Sequence, residues 1–243
     1  MGKGQLVTIH HNPRIPWHEK RLPYFVEGLK KLDFTPNPTT RRERIDANPA
    51  VLFGTSGFKD VENTPGDWLL VDRASYGDPE FVTLGWNGRG SLGTYPDIDD
   101  GGERFRSHGV ELEPFRTEGT YTVLCGDAHS VPIPPPYPDH WYFRPHPATG
   151  HNPTKLPVLK TWDGVGRAIC GNSSVAIECL TKGIALVCDG SSMAGKQSDF
   201  DSIEDFFHWL AWTQYTWGEI RNGDIGHIFE WLTSKAPENL ASS

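Results

Sequence analysis

The chain has 243 residues and a formal net charge of −8, with 37% hydrophobic and 12% aromatic residues. That apolar content is enough to bury a core, which excludes wholesale disorder, and the negative total charge excludes a protein that coats nucleic acid with its whole surface. The charge is uneven, because residues 1–45 hold nine Lys/Arg against four Asp/Glu and carry +5, which leaves −13 for the remainder. The N-terminal segment is therefore either a basic contact face or an ordinary solvated helix surface.

Neither a membrane-spanning stretch nor an export signal is predicted. No segment approaches the roughly 20 apolar residues that a transmembrane helix needs, and the N-terminus, MGKGQLVTIHHNPR, has too short an apolar run for a signal peptide. We therefore expect a cytoplasmic protein with no membrane partner. The cysteines include no CxxC pair, and all four are predicted to be reduced core residues rather than a disulfide or zinc site: Cys125, Cys170, Cys179 and Cys188.

The chain opens with a strand and a helix. QLVTIHH, residues 5–11, predicts a short buried strand, and the spacing of apolar residues between Trp17 and Leu32 predicts the helix. Pro23 falls within that span and favours a helix that begins close to it, because proline is tolerated in the first turn.

Two further strands are followed by a long stretch without a clear pattern. AVLFGT, residues 50–55, and WLLVDR, residues 68–73, are short apolar runs typical of buried parallel strands. Residues 74–118 are rich in Gly, Asp and aromatic residues and are predicted to form a long loop, and connections of this length are usually functional. Within this stretch, Trp86 and Asn87 suit either contact with a sugar or base, or a tight turn.

The second half alternates strands and helices. YTVLCGD (residues 121–127) and WYFRPHP (141–147) predict strands on either side of a polyproline-like connector at 131–138. Residues 167–190 predict a strand, a helix and another strand, and this alternation indicates an α/β fold with a parallel sheet. The last segment, from residue 202 onwards, is strongly helical and aromatic.

A polar turn of Asn172, Ser173 and Ser174 lies between a predicted strand and the helix after it. In open α/β sheets ligands bind beyond the carboxyl ends of strands, and a helix start offers backbone N–H groups and a positive dipole end, so phosphate fits there. Glu178 projects from the same helix face as Ser174 and could reach a sugar hydroxyl beside the phosphate. The alternative is that the turn merely caps the helix and that Glu178 is solvated.

The segment FRPHP places Arg144 and His146 at a strand end. The two side chains are two residues apart and therefore lie on one face, with prolines on either side of the histidine. Two donors that face one way can clamp an anion, whereas a histidine in isolation is more often structural.

Five sequence blocks follow one another in a fixed order between about residues 68 and 220. They are LLVDRASYGDPEFVTLGWNGRGS, DDGGERFRSHGVELEPF, FRPHP, NSSVAIECLTKGIALVCDGSSMAG and WLAWTQYTWGEI. In this order they resemble a bacteriophage family of nucleotide-sugar glycosyltransferases. That family is distantly similar to capsule-forming sugar transferases, which share the His-Pro and Ser-Ser-x-x-x-Glu patterns.

The resemblance implies a GT-B-like architecture, with two Rossmann-like lobes, a deep cleft between them and a helical C-terminus. The implied regions are an N-terminal acceptor-side α/β lobe at residues 1–118, a nucleotide-sugar-binding α/β lobe at 119–201, and helices at 202–243 that pack across the lobes. In the related phage sequences a helix lies between the equivalents of VLCGD and FRPHP, and here a proline-rich connector takes its place.

The same resemblance implies a donor site in the second lobe. His146 and the turn at Ser173 and Ser174 would bind the donor phosphates, and Glu178 would bind the ribose. Other residues that would line the same cleft are Asp189, Ser191 and Ser192.

Sugar transfer from a nucleoside diphosphate needs a base for the acceptor hydroxyl and stabilisation of the leaving diphosphate. Arg144, His146 and the helix-start N–H groups can provide the stabilisation. Asp127 is favoured as the base, with His129 just beyond the same strand end and Asp72 at the matching place in the first lobe as alternatives. Each of these residues could equally form or cap a turn. We expect no metal and no cofactor other than the nucleotide sugar as cosubstrate.

These observations predict a metal-independent glycosyltransferase that uses a nucleotide sugar, most simply a UDP-sugar. The predicted acceptor is a hydroxymethylated pyrimidine in double-stranded phage DNA, whose phosphates the basic N-terminal segment could contact. Two alternatives stay open: a transferase that acts on a saccharide or protein, and a catalytically inactive protein that sequesters a nucleotide sugar.

Overall fold

The computed structural model describes residues 4–40, 45, 49–54, 61, 67–77, 79–126, 133–145, 150–171 and 173–235. The chain divides into two compact units, the first of residues 1–99 with 210–243 and the second of residues 100–209. The boundaries predicted from the sequence, at residues 118 and 201, differ from these, and the assignment of acceptor and donor sides to lobes stays a prediction. Within the described residues, none of the helices has the length and apolarity to span a bilayer.

The described strands and helices alternate along much of the chain. The strands are β1 (Leu6–His10), β2 (Thr35–Thr39), β3 (Ala50–Phe53), β4 (Trp68–Arg73), β5 (Phe81–Trp86), β6 (Tyr121–Cys125), β7 (Trp141–Arg144), β8 (Val165–Cys170), β9 (Ala185–Cys188) and β10 (Gln214–Thr216). The helices are α1 (Pro16–Lys31), α2 (Glu103–Ser107), α3 (Val175–Thr181), α4 (Ile203–Ala211), α5 (Trp217–Asn222) and α6 (Gly226–Lys235). The chain is thus a mixed α/β protein.

The first unit contains a six-stranded sheet in the order β10, β5, β4, β3, β1, β2. Strands β1 to β4 are parallel to one another, and they include the three strands predicted in this half. Both faces of β3 are buried, because Val51 and Phe53 join one apolar cluster while Ala50 and Leu52 join another. Burial on both faces explains why this strand is an uninterrupted apolar run.

Helix α1 begins earlier than Pro23 suggests. Pro16 occupies the first turn, and Pro23 lies inside the helix. Proline there removes one backbone hydrogen bond, and the residue is exposed, so the helix accommodates it on its solvent side. The opposite face carries the fully buried Phe25 and Leu29, and it packs on the sheet.

The predicted loop at residues 74–118 is wrong over part of its length, because it contains β5 and the short helix α2. Strand β5 pairs antiparallel with β4 and is almost wholly buried. Trp86 is 1% exposed, and its indole Nε1 donates to the carbonyl of Ile228. The Asn87 side chain accepts from the backbone N–H of Trp68, and its φ is 54°. Trp86 is therefore a core residue, and Asn87 is a turn residue. Because Trp86 is buried, it does not contact a sugar or base.

The second unit contains an all-parallel sheet in the order β7, β6, β8, β9. This arrangement confirms the strands and the intervening helix predicted between residues 121 and 190. Strand β6 lies in the middle of the sheet, with β7 on one side and β8 on the other. The chain therefore leaves β6 towards one edge and leaves β8 towards the other, which makes a topological switch point between them.

Candidate functional site

The carboxyl ends of the four parallel strands of the second unit lie at one edge of its sheet. The last residues of the strands are, in sheet order, Arg144, Cys125, Cys170 and Cys188, and each is the register partner of the next. The polar turn that includes Ser173 and Ser174 follows β8, so it lies beside the switch point. In open α/β sheets this is the place where ligands bind, and the edge is the candidate site.

Three side chains join into one polar cluster at this edge. The Arg144 guanidinium donates from Nη2 to Oε2 of Glu178 at 2.8 Å, and the indole Nε1 of Trp162 donates to Oε1 at 2.9 Å. The guanidinium also lies over the Trp162 ring, with Cζ 5.2 Å from the ring centroid. Each carboxylate oxygen of Glu178 thus accepts a hydrogen bond, Oε2 from Arg144 and Oε1 from Trp162. The side chains of Arg144 and Glu178 keep 28% and 37% of their surface exposed, so a ligand can still reach them.

Helix α3 starts directly after the polar turn but is only seven residues long. Ser174 is its N-cap and makes no side-chain capping hydrogen bond, while the hydroxyl of Ser173 accepts from the backbone N–H of Val175 at 3.4 Å. Ser174 is exposed and Ser173 is half-buried. Both residues of the turn are therefore at least partly accessible to solvent.

Asp189 follows β9 and organises its own turn. Its Oδ1 accepts from the hydroxyl of Ser191 at 2.6 Å and from the backbone N–H of the same residue at 2.8 Å. These two hydrogen bonds, the hydroxyl first, hold the pKa of Asp189 below its ordinary value. Ser192 is 2% exposed and precedes a short 3₁₀ turn. The hydroxyl and the backbone N–H of Ser191 both donate within the turn. Because these hydrogen bonds lower the pKa of Asp189, its carboxyl group is ionised at neutral pH.

A cluster of three cysteines lies directly behind the edge. The Sγ atoms of Cys125, Cys170 and Cys179 all lie within 4.8 Å of one another, and all three residues are buried. Hydrogen bonds from Cys170 and then Cys179 lower the pKa of Cys125 below the ordinary value of a thiol. Hydrogen bonding to Cys125 is the first cause that raises the pKa of both other thiols, and burial adds to it. These three cysteines are free and buried, as predicted for core residues, whereas Cys188 is only partly buried.

Other predicted site residues lie either outside the described residues or in the first unit. Asp127, His129, His146 and Asn172 lie outside the described residues, so their roles stay predictions. Asp72 lies in β4 of the first unit, where its carboxylate accepts from the backbone N–H of Arg73 and forms an ion pair with Arg89 at 3.5 Å. Asp72 is therefore engaged by neighbours in its own unit.

Sequence reasoning missed Trp162 and the proximity of the three cysteines. Trp162 stands in an irregular segment before β8, and its partner Glu178 is 16 residues further along the chain. Nothing in the spacing of the cysteines signals a cluster, because the strand register and the packing of α3 bring them together. The sequence signal for Trp162 was limited to an aromatic residue beside Asp163 and Gly164, two residue types that favour turns.

No family model matches the chain, and no curated protein matches it, so membership of the phage family stays a prediction. A solved structure that is similar is KpsC of Thermosulfurimonas dismutans, described as a β-Kdo 2,7 transferase, with a TM-score of 0.53. The match covers 92% of this chain and 99% of that chain at 12% sequence identity. At this identity the likeness shows the fold alone, a mixed α/β fold with parallel sheets.

Proposed function

We propose that the protein is a glycosyltransferase of GT-B-like architecture that transfers a sugar from a nucleotide sugar to a hydroxyl group. The observation that carries the proposal is the convergence of charged and polar side chains at the switch-point edge of the second unit. Arg144 and Glu178 meet there beside the Ser173–Ser174 turn at the start of α3. The likeness in fold to a Kdo transferase supports the same reaction class.

The donor is proposed to bind with its diphosphate at the turn and its ribose towards Glu178. Arg144 supplies a positive charge, and the backbone N–H groups at the start of α3 supply further donors. His146, two residues beyond Arg144, is proposed to complete the phosphate site. As the sugar leaves, negative charge grows on the diphosphate, and these groups stabilise it without a metal ion.

The acceptor hydroxyl must lose its proton as the new glycosidic bond forms. We propose Asp127, two residues after the end of β6 in the sequence, as the base, with His129 and Asp72 as the alternatives. The proton passes to the base, the hydroxyl oxygen attacks the anomeric carbon, and the bond to the diphosphate breaks. We expect Asp127→Asn to abolish turnover while nucleotide binding is retained.

A binding experiment tests the donor site. Calorimetric titration with UDP, GDP, dTDP and CMP, together with their sugar conjugates, identifies the nucleotide, with UDP expected to bind best. Arg144→Gln should weaken binding by roughly 10- to 100-fold, the equivalent of one charge-assisted hydrogen bond. Arg167→Gln is the matched control, because Arg167 is an exposed arginine of strand β8 in the same sheet, three residues before its carboxyl end. If no nucleotide binds, or if both variants behave alike, the donor site is wrong.

A turnover experiment tests the acceptor. The protein is incubated with each donor that binds and with hydroxymethylated DNA, plain DNA, a saccharide panel or no acceptor, and released nucleoside diphosphate and product mass are measured. We propose that hydroxymethylated DNA gives the fastest release, with a mass shift of one sugar residue. Turnover on a saccharide alone would replace DNA as the acceptor, and tight donor binding without turnover on any acceptor would favour the sequestering protein.

A further inference from the structure

The buried cysteine cluster is assembled from three separate elements. Cys125 ends β6 and Cys170 ends β8, and the two are register partners on adjacent parallel strands, so their side chains project from the same face of the sheet. Cys179 reaches them from helix α3, which covers that face. The three residues are 1%, 1% and 0% exposed, and their Sγ atoms lie within 4.8 Å of one another.

This geometry is close to that of a metal thiolate site. A sulfur ligand lies about 2.3 Å from Zn²⁺, so three sulfurs around one ion are about 4 Å apart. The cluster therefore reaches the required separation through side-chain movements of less than about 1 Å, without any change in the strand register. Among the residues that the structure describes, no His, Asp or Glu joins the three cysteines within the same distance limit. An all-sulfur set selects ions that prefer soft ligands.

One cationic side chain, shared with Glu178, lies on the same face of the sheet as the charge that such a site would carry. Three thiolates around Zn²⁺ carry a net charge of −1, and Arg144 is the register partner of Cys125 on the other side of β6, so it projects from the same face. The alternative explanation is that the three side chains pack as small apolar groups, which is common for buried cysteines. The two explanations differ in whether the reduced protein takes up a metal ion.

We propose that Cys125, Cys170 and Cys179 bind one sulfur-preferring d¹⁰ metal ion, Zn²⁺ or Cu⁺, which links the ends of β6 and β8 to helix α3. Binding replaces the thiol protons, which pass to solvent, and involves no change of oxidation state. The site lies behind the Ser173–Ser174 turn, since Cys170 precedes the turn and Cys179 follows it. The ion therefore fixes the position of α3, and this role is independent of the proposed sugar transfer.

The test begins with reduced, metal-free protein. Zn²⁺ and Cu⁺ are titrated separately against a chromophoric chelator of each ion, and Cd²⁺ serves as a probe of sulfur-to-metal charge-transfer absorption in the ultraviolet. We expect one equivalent per chain for at least one of the two ions, the charge-transfer band with Cd²⁺, and a rise in melting temperature on binding. Tighter binding of Zn²⁺ would indicate a zinc site, and tighter binding of Cu⁺ would indicate a copper site.

Two serine variants locate the site. Cys179→Ser should lower the metal affinity by roughly 100-fold or more, because one of three ligands is lost. Cys188→Ser is the matched control, since Cys188 is the register partner of Cys170 but lies outside the cluster, and it should bind as the parent does. An equal loss in both variants would overturn the three-cysteine site.

A measurement on the parent protein avoids the risk that a variant fails to fold. In partly denaturing conditions, bound metal should slow the alkylation of the three cluster thiols relative to metal-free protein, as read by mass spectrometry, while Cys188 is labelled equally in both. A parent protein that binds neither Zn²⁺, Cu⁺ nor Cd²⁺ would overturn the proposal and leave the cysteines as packed apolar groups. If the protein binds a nucleotide but takes up no metal ion, the metal site is wrong and the proposed sugar transfer is unaffected.

Discussion

At the scale of single residues, the cluster of Arg144, Glu178 and Trp162 determines what the candidate site can bind. A carboxylate next to a phosphate site is unfavourable unless a cation neutralises it, and the ion pair at 2.8 Å does so. The Trp162 indole holds the second oxygen of Glu178, which fixes the carboxylate in one orientation. If the proposed donor binds here, Glu178 has lone pairs left to accept from a sugar hydroxyl.

Glu178→Gln separates the ribose contact from the phosphate contact. If Glu178 accepts from the ribose, the variant should bind UDP roughly tenfold more weakly, because one hydrogen bond to a charged group is lost. Pyrophosphate lacks a ribose, so its affinity should be unchanged or higher once the negative charge is gone. Both affinities are measured by calorimetry. An equal loss for UDP and pyrophosphate would mean that Glu178 acts only by holding Arg144.

The Asp189 turn gives a prediction about pH. Its pKa is depressed in the folded protein, chiefly by the Ser191 hydroxyl. The stabilisation from this turn is therefore present above the unfolded pKa and is lost as the pH falls through the lower folded value. Ser191→Ala should raise the pKa of Asp189 towards its ordinary value, which is about 3.9. The carboxyl carbon resonance followed by NMR measures the change, with Ser191→Thr as the control that keeps a hydroxyl. An unchanged pKa in the alanine variant would contradict the assignment.

At the scale of elements, the sequence predicted the strands and helices with strong apolar patterns and missed those formed by tertiary pairing. Strand β2 has the sequence TPNPT, which no strand propensity favours. It is nevertheless tolerated because β2 is at the sheet edge, where missing N–H donors cost little. Strand β10 has three residues between two helices and exists because it pairs with β5. The cysteine cluster was likewise unpredictable, since it depends on register.

The contact between α1 and α5 gives a prediction about packing. A Cβ at Gly28 would overlap the backbone carbonyl of Ile220, so the two helices can approach this closely only because residue 28 is glycine. Gly28→Ala should lower the free energy of unfolding by about 2 kcal/mol or more, as overpacking does when backbone must move. Chemical denaturation measures the change.

Gly218 in α5 provides the control for this packing effect. A Cβ there would meet only the Thr216 hydroxyl at an ordinary 3.7 Å, and the residue is exposed. Gly218→Ala should be neutral or should stabilise the protein by up to about 1 kcal/mol, because alanine favours helix more than glycine does. Equal destabilisation by both substitutions would show that helix geometry, rather than the α1 to α5 contact, causes the loss.

At the scale of the whole molecule, the first unit is built from both ends of the chain. The segment after residue 209 returns to add β10 to the sheet, and Trp217, Ile220 and Phe229 join the same apolar cluster as β1 and α1. This return could not be predicted from composition, which indicated only C-terminal helices. The basic N-terminal segment is thus part of a unit whose fold needs the far end of the chain.

The distribution of charge gives the last prediction, which concerns the proposed DNA acceptor. Lys20 and Lys31 are exposed on α1 and are separated by about three turns, so they lie on one face of the helix. If this face contacts phosphates, the logarithm of the DNA affinity should fall with the logarithm of the salt concentration by about 0.9 for each contact. The double variant Lys20→Gln, Lys31→Gln should therefore reduce the slope by about 2. Fluorescence anisotropy over a salt series measures it, with Lys160→Gln, an exposed lysine of the second unit, as the control. A slope that stays the same in the double variant would exclude this face of α1 from DNA contact, and a parent slope near zero would favour a saccharide or protein acceptor.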